Sequence, residues 1–241
     1  MDQRLVCIIP ARGGSEGLPG KNVRPFAGHP LIAHSILLAR RCPDVGRIVV
    51  STDSPEIAEI ARRYGAEVPF LRPSELARAD TPLWPVLQHA LAELERAEET
   101  PFDQLLLLDP TSPARLPEEV GEALRRLRAA QEADGIVAVS KPDFNPLWVC
   151  VVQENGWMRD LFPDAARLQR RQEVSPVYRV NGAFYLWRTA LVRTASSWRS
   201  GSRLMMFEIP EARAFSIDTM DQFERAEALV KAGLIRLPWL A

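Results

Sequence analysis

Short apolar runs alternate with stretches in which apolar residues recur every three or four positions, and the alternation continues from residue 4 to about residue 140. The first run, Leu5-Val6-Cys7-Ile8-Ile9, is short, partly β-branched and stopped by Pro10, so it reads as a strand buried on both faces. Comparable runs predict strands over residues 47–51, 67–71, 104–108 and 135–140. Helical spacing predicts helices over about 30–41, 55–64, 82–97 and 117–131. Pro30, Pro55, Pro82 and Pro117 sit near their starts, where a missing N–H costs nothing. Strand and helix in repetition force parallel strands joined by crossover helices, an α/β fold.

After Pro142 the rhythm breaks. Residues 145–176 mix prolines, Trp148, Trp157, Phe162 and an arginine cluster without sustained periodicity, which reads as an excursion from the sheet over 143–178. Exposed aromatics there would be an aggregation hazard unless something covers them. Regular structure is expected again as strands over 180–187 and 214–217 and a closing helix over about 220–232. There is no internal repeat, and the expected unit is a single domain over 1–241.

Composition narrows the picture. The chain has 241 residues, of which 46% are hydrophobic, enough for a sizeable core. A net charge of -1 gives no general attraction to nucleic acid or an anionic membrane, so basic groups are expected to act locally. Cys7, Cys42 and Cys150 are odd in number and far apart, with no histidines at ligand spacing. That argues against a disulfide framework or zinc site and fits a reducing cytoplasm. No apolar run approaches membrane-spanning length, and the first strand begins too early for a signal peptide.

Most of the chemistry is concentrated just after the first strand. Arg12-Gly13-Gly14-Ser15-Glu16-Gly17-Leu18-Pro19-Gly20-Lys21-Asn22 is a glycine-rich loop at a strand's carboxyl end, where open α/β sheets hold ligands. Glycines leave backbone amides free to face phosphate oxygens, and Arg12 and Lys21 supply charge. The P-loop pattern fails, because Ser15 stands where its first glycine belongs and Asn22 where its Ser or Thr belongs. The dinucleotide fingerprint fails as well. The glycines alone suit a merely flexible turn equally, and it is Arg12, Lys21 and Asn22 that favour a polyphosphate. Asp109, after Leu105-Leu106-Leu107-Leu108, suits either a metal ligand or a cap for the Pro110-Thr111-Ser112-Pro113 turn, and Asp218 either a metal ligand or a helix cap. His29, His34 and His89 lack any triad-like context, and His34 and His89 read as packing residues.

The loop resembles the signature of the acylneuraminate cytidylyltransferases, the CMP-sialic acid synthetases. Ser51-Thr52-Asp53, Arg72-Pro73-Ser74-Glu75-Leu76-Ala77, Pro110-Thr111-Ser112-Pro113, Arg170-Arg171-Gln172, Asn181-Gly182-Ala183-Phe184-Tyr185 and Ile217-Asp218-Thr219 extend the likeness in family order over almost the whole chain. The resemblance implies a three-layer α/β/α Rossmann-like, GT-A-like nucleotidyltransferase fold with a mostly parallel mixed sheet, and a homodimer in which the excursion covers substrate. It implies transfer of CMP from CTP to a nine-carbon sugar acid with Mg²⁺, Mn²⁺ being an alternative. Arg12, Lys21 and Asp218 would then be catalytic. Ala11, Gly13, Gly14, Ser15, Asn22, Arg72, Thr81 and Asp109 would join Arg12 and Lys21 around the nucleotide. Thr111, Arg171, Gln172, Asn181, Gly182 and Tyr185 would hold the sugar acid, and Asp109 and Asp218 the metal. Arg72 and Thr81 also have plainer readings, a surface salt bridge and a helix cap.

Three positions depart from the family pattern. Ser216 replaces the first carboxylate of its Asp-Ile-Asp, and Asp109 replaces the glutamine before Pro-Thr-Ser-Pro. The two changes are expected to compensate by moving a metal ligand from one strand to another. Glu16 stands where relatives carry lysine and is expected to face solvent, because a carboxylate beside a triphosphate is unfavourable. No residue stands out as a general base.

Overall fold

The computed structural model describes residues 3–96, 100–162 and 174–240. In chain order come β1 (Leu5–Pro10), the small ribbon β2 (Pro25–Phe26) and β3 (His29–Pro30), α1 (Leu31–Ala39), β4 (Val45–Ser51), α2 (Pro55–Arg63), α3 (Leu83–Glu95), β5 (Gln104–Leu107), α4 (Pro117–Ala129) and β6 (Gly135–Ser140). There follow α5 (Pro146–Val149), β7 (Val151–Glu154), β8 (Trp157–Asp160), β9 (Arg179–Arg188), α6 (Thr189–Thr194), β10 (Leu204–Glu208) and α7 (Met220–Lys231).

Six strands form one sheet in the order β10-β6-β9-β5-β1-β4. All neighbours are parallel except β9, which runs antiparallel between β5 and β6. The alternation of β1 shows why the sheet carries helices on both faces. Leu5, Cys7 and Ile9 pack with apolar residues of α1, α2, α4 and α7, while Val6 and Ile8 pack with those of α3 and α6. A strand buried on both sides must be apolar throughout, which is why these runs are so legible.

The expected helices form with ends shifted by a few residues, and Pro55 and Pro117 open α2 and α4. Two expected strands need correction, and one strand was not expected. Residues 67–71 are not a strand: Glu67 exchanges hydrogen bonds with β4, but Pro69 follows without a donor and Leu71 is exposed. Residues 214–217 are not a strand either, although Ile217 is buried and its N–H donates to the Thr111 carbonyl at 2.8 Å. The edge strand is instead β10, whose Leu204-Met205-Met206-Phe207 has no β-branched residue to signal it. Within the excursion, β7 and β8 form a hairpin turning on Asn155 and Gly156, both with positive φ of 52° and 86°. Asn-Gly is the residue pair that such a tight turn favours. Among the described residues no helix is long and apolar enough to cross a membrane.

His34 is the packing residue the sequence suggests, and it also fastens the carboxyl-terminal segment. Trp239 Nε1 donates to His34 Nδ1 at 2.8 Å, so Nε2 carries the ring proton and donates to the Phe26 carbonyl at 2.8 Å. Burial holds the imidazole down at about 4. An unfolded chain takes up this proton below about pH 6.5, whereas the native one resists until about pH 4, so this contribution is intact above the window and lost as pH falls through it. The loss should reach about 3 kcal/mol. Urea unfolding at pH 7 and pH 4.5 should show a steeper fall for the native chain than for His34→Leu.

Candidate active site

β1, β4 and β5 end side by side, because Pro10 pairs with Ser51 and Ile8 with Leu107. Their carboxyl ends deliver Arg12, Asp53 and Asp109 to one edge of the sheet. A cleft of about 470 Å³ opens there. Arg12, Ser15, Glu16, Gly17, Lys21 and Asn22 line it from the loop after β1, and Arg72, Arg78 and Thr81 from the segment before α3. Asp109 and Thr111 line it after β5, and Ser216 and Asp218 before α7.

Local hydrogen bonds shape the loop. Asn22 is buried and its Nδ2 donates to the Arg12 carbonyl at 3.1 Å, closing the loop across its base. The Gly13 N–H donates to Asp53 Oδ1 at 2.9 Å and the Ser15 N–H to the Gly13 carbonyl at 3.2 Å. The expected row of glycine amides facing a ligand is therefore interrupted at Gly13, although Gly14 stands in open space. Ala11 is buried with its N–H on the Ser51 carbonyl, so neither it nor the first two glycines line the cleft. Gly17 is required by close approach, since a Cβ there would lie 2.6 Å from the Asp218 carbonyl oxygen.

That approach brings the loop's lysine to the opposite wall. Lys21 Nζ lies 2.7 Å from Asp218 Oδ1 and 3.4 Å from the Ile217 carbonyl oxygen. The Lys21 side chain is only 17% exposed and that of Asp218 57%, so the ammonium is sheltered while the carboxylate faces solvent. Burial opposes ionisation of Asp218, but hydrogen bonds from Lys21 and Ser216 outweigh it and hold the carboxyl below its ordinary range.

The two carboxylates are linked through two hydroxyls. Asp109 Oδ1 accepts from the Thr111 N–H at 3.1 Å and from Thr111 Oγ1 at 2.9 Å. Ser216 Oγ lies 3.1 Å from Thr111 Oγ1 and 2.9 Å from Asp218 Oδ2. Asp109 thus secures its turn with one oxygen and lines the cleft. Asp218 is not the helix cap: Thr219 caps α7, accepting from the Gln222 N–H at 3.3 Å.

Arg72 is buried, which rules out the surface salt bridge. Its guanidinium holds the Ser51 carbonyl and hydroxyl. Burial lowers its pKa to about 10, and Asp53 favours the charged form. Thr81 Oγ1 donates to the Glu75 carbonyl at 3.1 Å, and α3 receives no side-chain cap.

Of the expected sugar-acid residues that are described, Thr111 lines this cleft and Asn181, Gly182 and Tyr185 do not. Asn181 is buried, with Oδ1 accepting from the Ala183 N–H at 3.0 Å, and Gly182 has φ +73° beside Ser112. Tyr185 lines a neighbouring cavity of about 310 Å³ with Trp84, Trp187 and Trp198, and Leu83 borders both spaces. Arg170, Arg171 and Gln172 lie outside the described residues.

Glu16 is exposed, as expected, but it also borders the cleft. Solvent screens a carboxylate at such a mouth. Glu16→Lys should therefore leave kcat within about twofold of native in a pyrophosphate-release assay. A large gain would show that Glu16 reaches the bound phosphates.

The cytidylyltransferase family pattern matches residues 6–102. The CMP-N,N'-diacetyllegionaminic acid synthase of Legionella pneumophila is 38% identical over 185 residues, covering 76% of this chain and 77% of that protein. This chain belongs to the cytidylyltransferase family. Its relatives include the CMP-N,N'-diacetyllegionaminic acid synthase of Campylobacter jejuni, 33% identical over 230 residues and 94% of each chain. Among solved structures, CMP:2-keto-3-deoxy-manno-octonic acid synthetase complexed with CTP superimposes with a TM-score of 0.73 at 19% identity, covering 96% of this chain and all of that one. That likeness establishes the shared Rossmann-like fold. The cytidylyltransferase cleft also depends on residues to which no motif assigned a role: Asp53, which fastens Gly13; Arg78, on the cleft wall; and Arg115, buried behind Asp109.

Proposed function

We propose that this cytidylyltransferase transfers CMP from CTP to the anomeric hydroxyl of a nonulosonic acid and releases pyrophosphate. One observation carries the reading. A chain 38% identical to a CMP-N,N'-diacetyllegionaminic acid synthase places Arg12, Lys21, Asp109 and Asp218 around one cleft at its strand ends. In the reaction the hydroxyl oxygen forms a bond to the α-phosphorus, the bond to the bridging oxygen of pyrophosphate breaks, and the hydroxyl proton is lost. Lys21 has three N–H donors, two of them directed at Asp218 and Ile217, which leaves the third for phosphate. Arg12 adds a second cation, and the pair offset charge on the leaving pyrophosphate.

The donors fit Mg²⁺, and Mn²⁺ in its place. Two carboxylates are hard oxygen ligands, and Mg²⁺ commonly takes one or two such groups beside phosphate oxygens and water. No group of three or more potential metal ligands occurs among the described residues, so Asp109 and Asp218 would need phosphate oxygens and water to complete a coordination shell. A bound ion would supply positive charge against the charge developing on the phosphates. Asp109 and Asp218 would hold it. Arg171 and Gln172 would reach the carboxylate of the sugar acid.

Pyrophosphate release with CTP and Mg²⁺ tests the reaction across legionaminic, pseudaminic and sialic acids. Release is expected, with N,N'-diacetyllegionaminic acid the first acceptor to try because two relatives carry its name. CTP binding without release across the panel would mark a nucleotide-binding scaffold instead.

The excursion supports a homodimer. Trp157 and Met158 on β8 are 77% and 76% exposed, and Val151 and Val152 lie across the hairpin from Asp160 and Arg159 with both valines also exposed. A second copy would cover this apolar surface. Sedimentation should give a dimer for the native chain and a monomer for Trp157→Lys/Met158→Lys.

A further inference from the structure

Arg115 is 1% exposed, and among the described residues it has no carboxylate at ion-pair distance. Its Nη1 donates to the Asp109 carbonyl at 2.9 Å and to the Ala183 carbonyl at 2.7 Å, and Nη2 donates to Ser35 Oγ. Ser35 Oγ also lies 3.4 Å from the Asp109 carbonyl oxygen. Among the described residues the Nε has no hydrogen-bond partner. A buried guanidinium with an orphaned N–H is a poor way to stabilise a fold, because its desolvation is recovered only when every donor is satisfied.

The placement explains the arrangement better than stability does. Three separate elements converge on this one planar group: the turn after β5, the antiparallel strand β9 and helix α1. Arg115 itself follows that turn, so it closes a loop back onto the backbone of Asp109. The charge persists at neutral pH even though burial lowers the guanidinium to about 10, and Asp109 is the group that most favours its charged form.

We infer that Arg115 acts as a positioning residue: it fixes the Asp109 turn against α1 and β9, and so sets where the Asp109 carboxylate stands in the cleft. This rests on the reaction and metal ligands proposed above. Arg115 does not line the cleft. A small displacement of a carboxylate that must meet a nucleotide-bound cation is costly, since a misplacement of about 1 Å lowers rates about a hundredfold.

Two variants test this in the full chain. Arg115→Lys keeps the charge but loses the fork that spans three elements. Ser35→Ala removes one contact and leaves the cation in place. Mn²⁺ binding to the CTP complex, followed by electron paramagnetic resonance, should weaken at least about fivefold in Arg115→Lys and less in Ser35→Ala, with kcat falling about tenfold or more in the former. Calorimetric affinity for CTP without metal should stay within about threefold of native. Native Mn²⁺ affinity in both variants overturns the assignment, whatever happens to melting temperature. If Arg115→Lys does not fold, Ser35→Ala decides, with unchanged Mn²⁺ affinity counting against it. A native chain that binds CTP and Mn²⁺ without releasing pyrophosphate refutes the reaction but leaves the metal measurement to judge Arg115.

Discussion

Lys21→Ala is expected to lower kcat about 10²-fold to 10³-fold while changing the affinity for CTP far less, because its charge matters most as pyrophosphate departs. The expectation follows from how Lys21 is held. The ammonium is anchored by Asp218 at 2.7 Å and sheltered from solvent, so it would meet the phosphates in a fixed place. A preorganised charge in a partly desolvated cleft acts more strongly than one free in water. Lys21→Arg should recover little of the loss, since a planar fork cannot occupy the point that a compact ammonium fills between Asp218 and the Ile217 carbonyl. Single-turnover and steady-state pyrophosphate release would separate chemistry from binding. A Lys21→Ala chain with native kcat and only a raised KM would contradict this placement.

Asp218→Asn should reduce turnover about 10³-fold or more, and Asp109→Asn should raise the Mg²⁺ concentration for half activity about tenfold. The two differ because their surroundings differ. Asp218 is fixed by its neighbours: the Ile217 N–H is bonded to Thr111 and the Asp218 N–H to Gln222 Oε1 at 2.7 Å. Substitution therefore removes charge without moving backbone. Asp109 secures its turn through Oδ1, and asparagine can still accept there, so the fold should survive while one metal ligand weakens. Ser216 is the hinge of this reasoning. Its hydroxyl joins Thr111 to Asp218 at the position where the sequence resemblance leads one to expect a carboxylate. Unchanged Mg²⁺ dependence in Asp109→Asn would refute the compensation between Asp109 and Ser216.

Much of the fold was readable in the chain because strands buried on both faces are apolar nearly throughout, as β1 is and as β6 is up to Ser140. What escaped lacked that property. β10 sits at an edge and is rich in methionine, and residues 67–71 looked apolar yet contain Pro69. The hairpin of β7 and β8 turns on Asn155-Gly156, but its strands are exposed on both faces, so no alternation flanks the turn to mark it in the sequence. The cleft was legible wherever a short motif follows a strand, as with Arg12, Lys21 and Asp109. Asp53 and Arg115 were not, because their partners are remote: Asp53 meets Gly13 forty residues away, and Arg115 meets Ala183 and Ser35 at separations of 68 and 80. Local sequence cannot distinguish such an arginine from one on the surface.

The central claim is that the turn after β1 holds the triphosphate of CTP with Arg12 and Lys21 while a nonulosonic acid attacks it. Pyrophosphate release from CTP, Mg²⁺ and N,N'-diacetyllegionaminic acid, compared between the native chain and Arg12→Ala/Lys21→Ala, tests it most directly. The native chain should release one pyrophosphate for each CMP-sugar formed, and the folded double variant should fall to background. Native turnover in the double variant would contradict the claim.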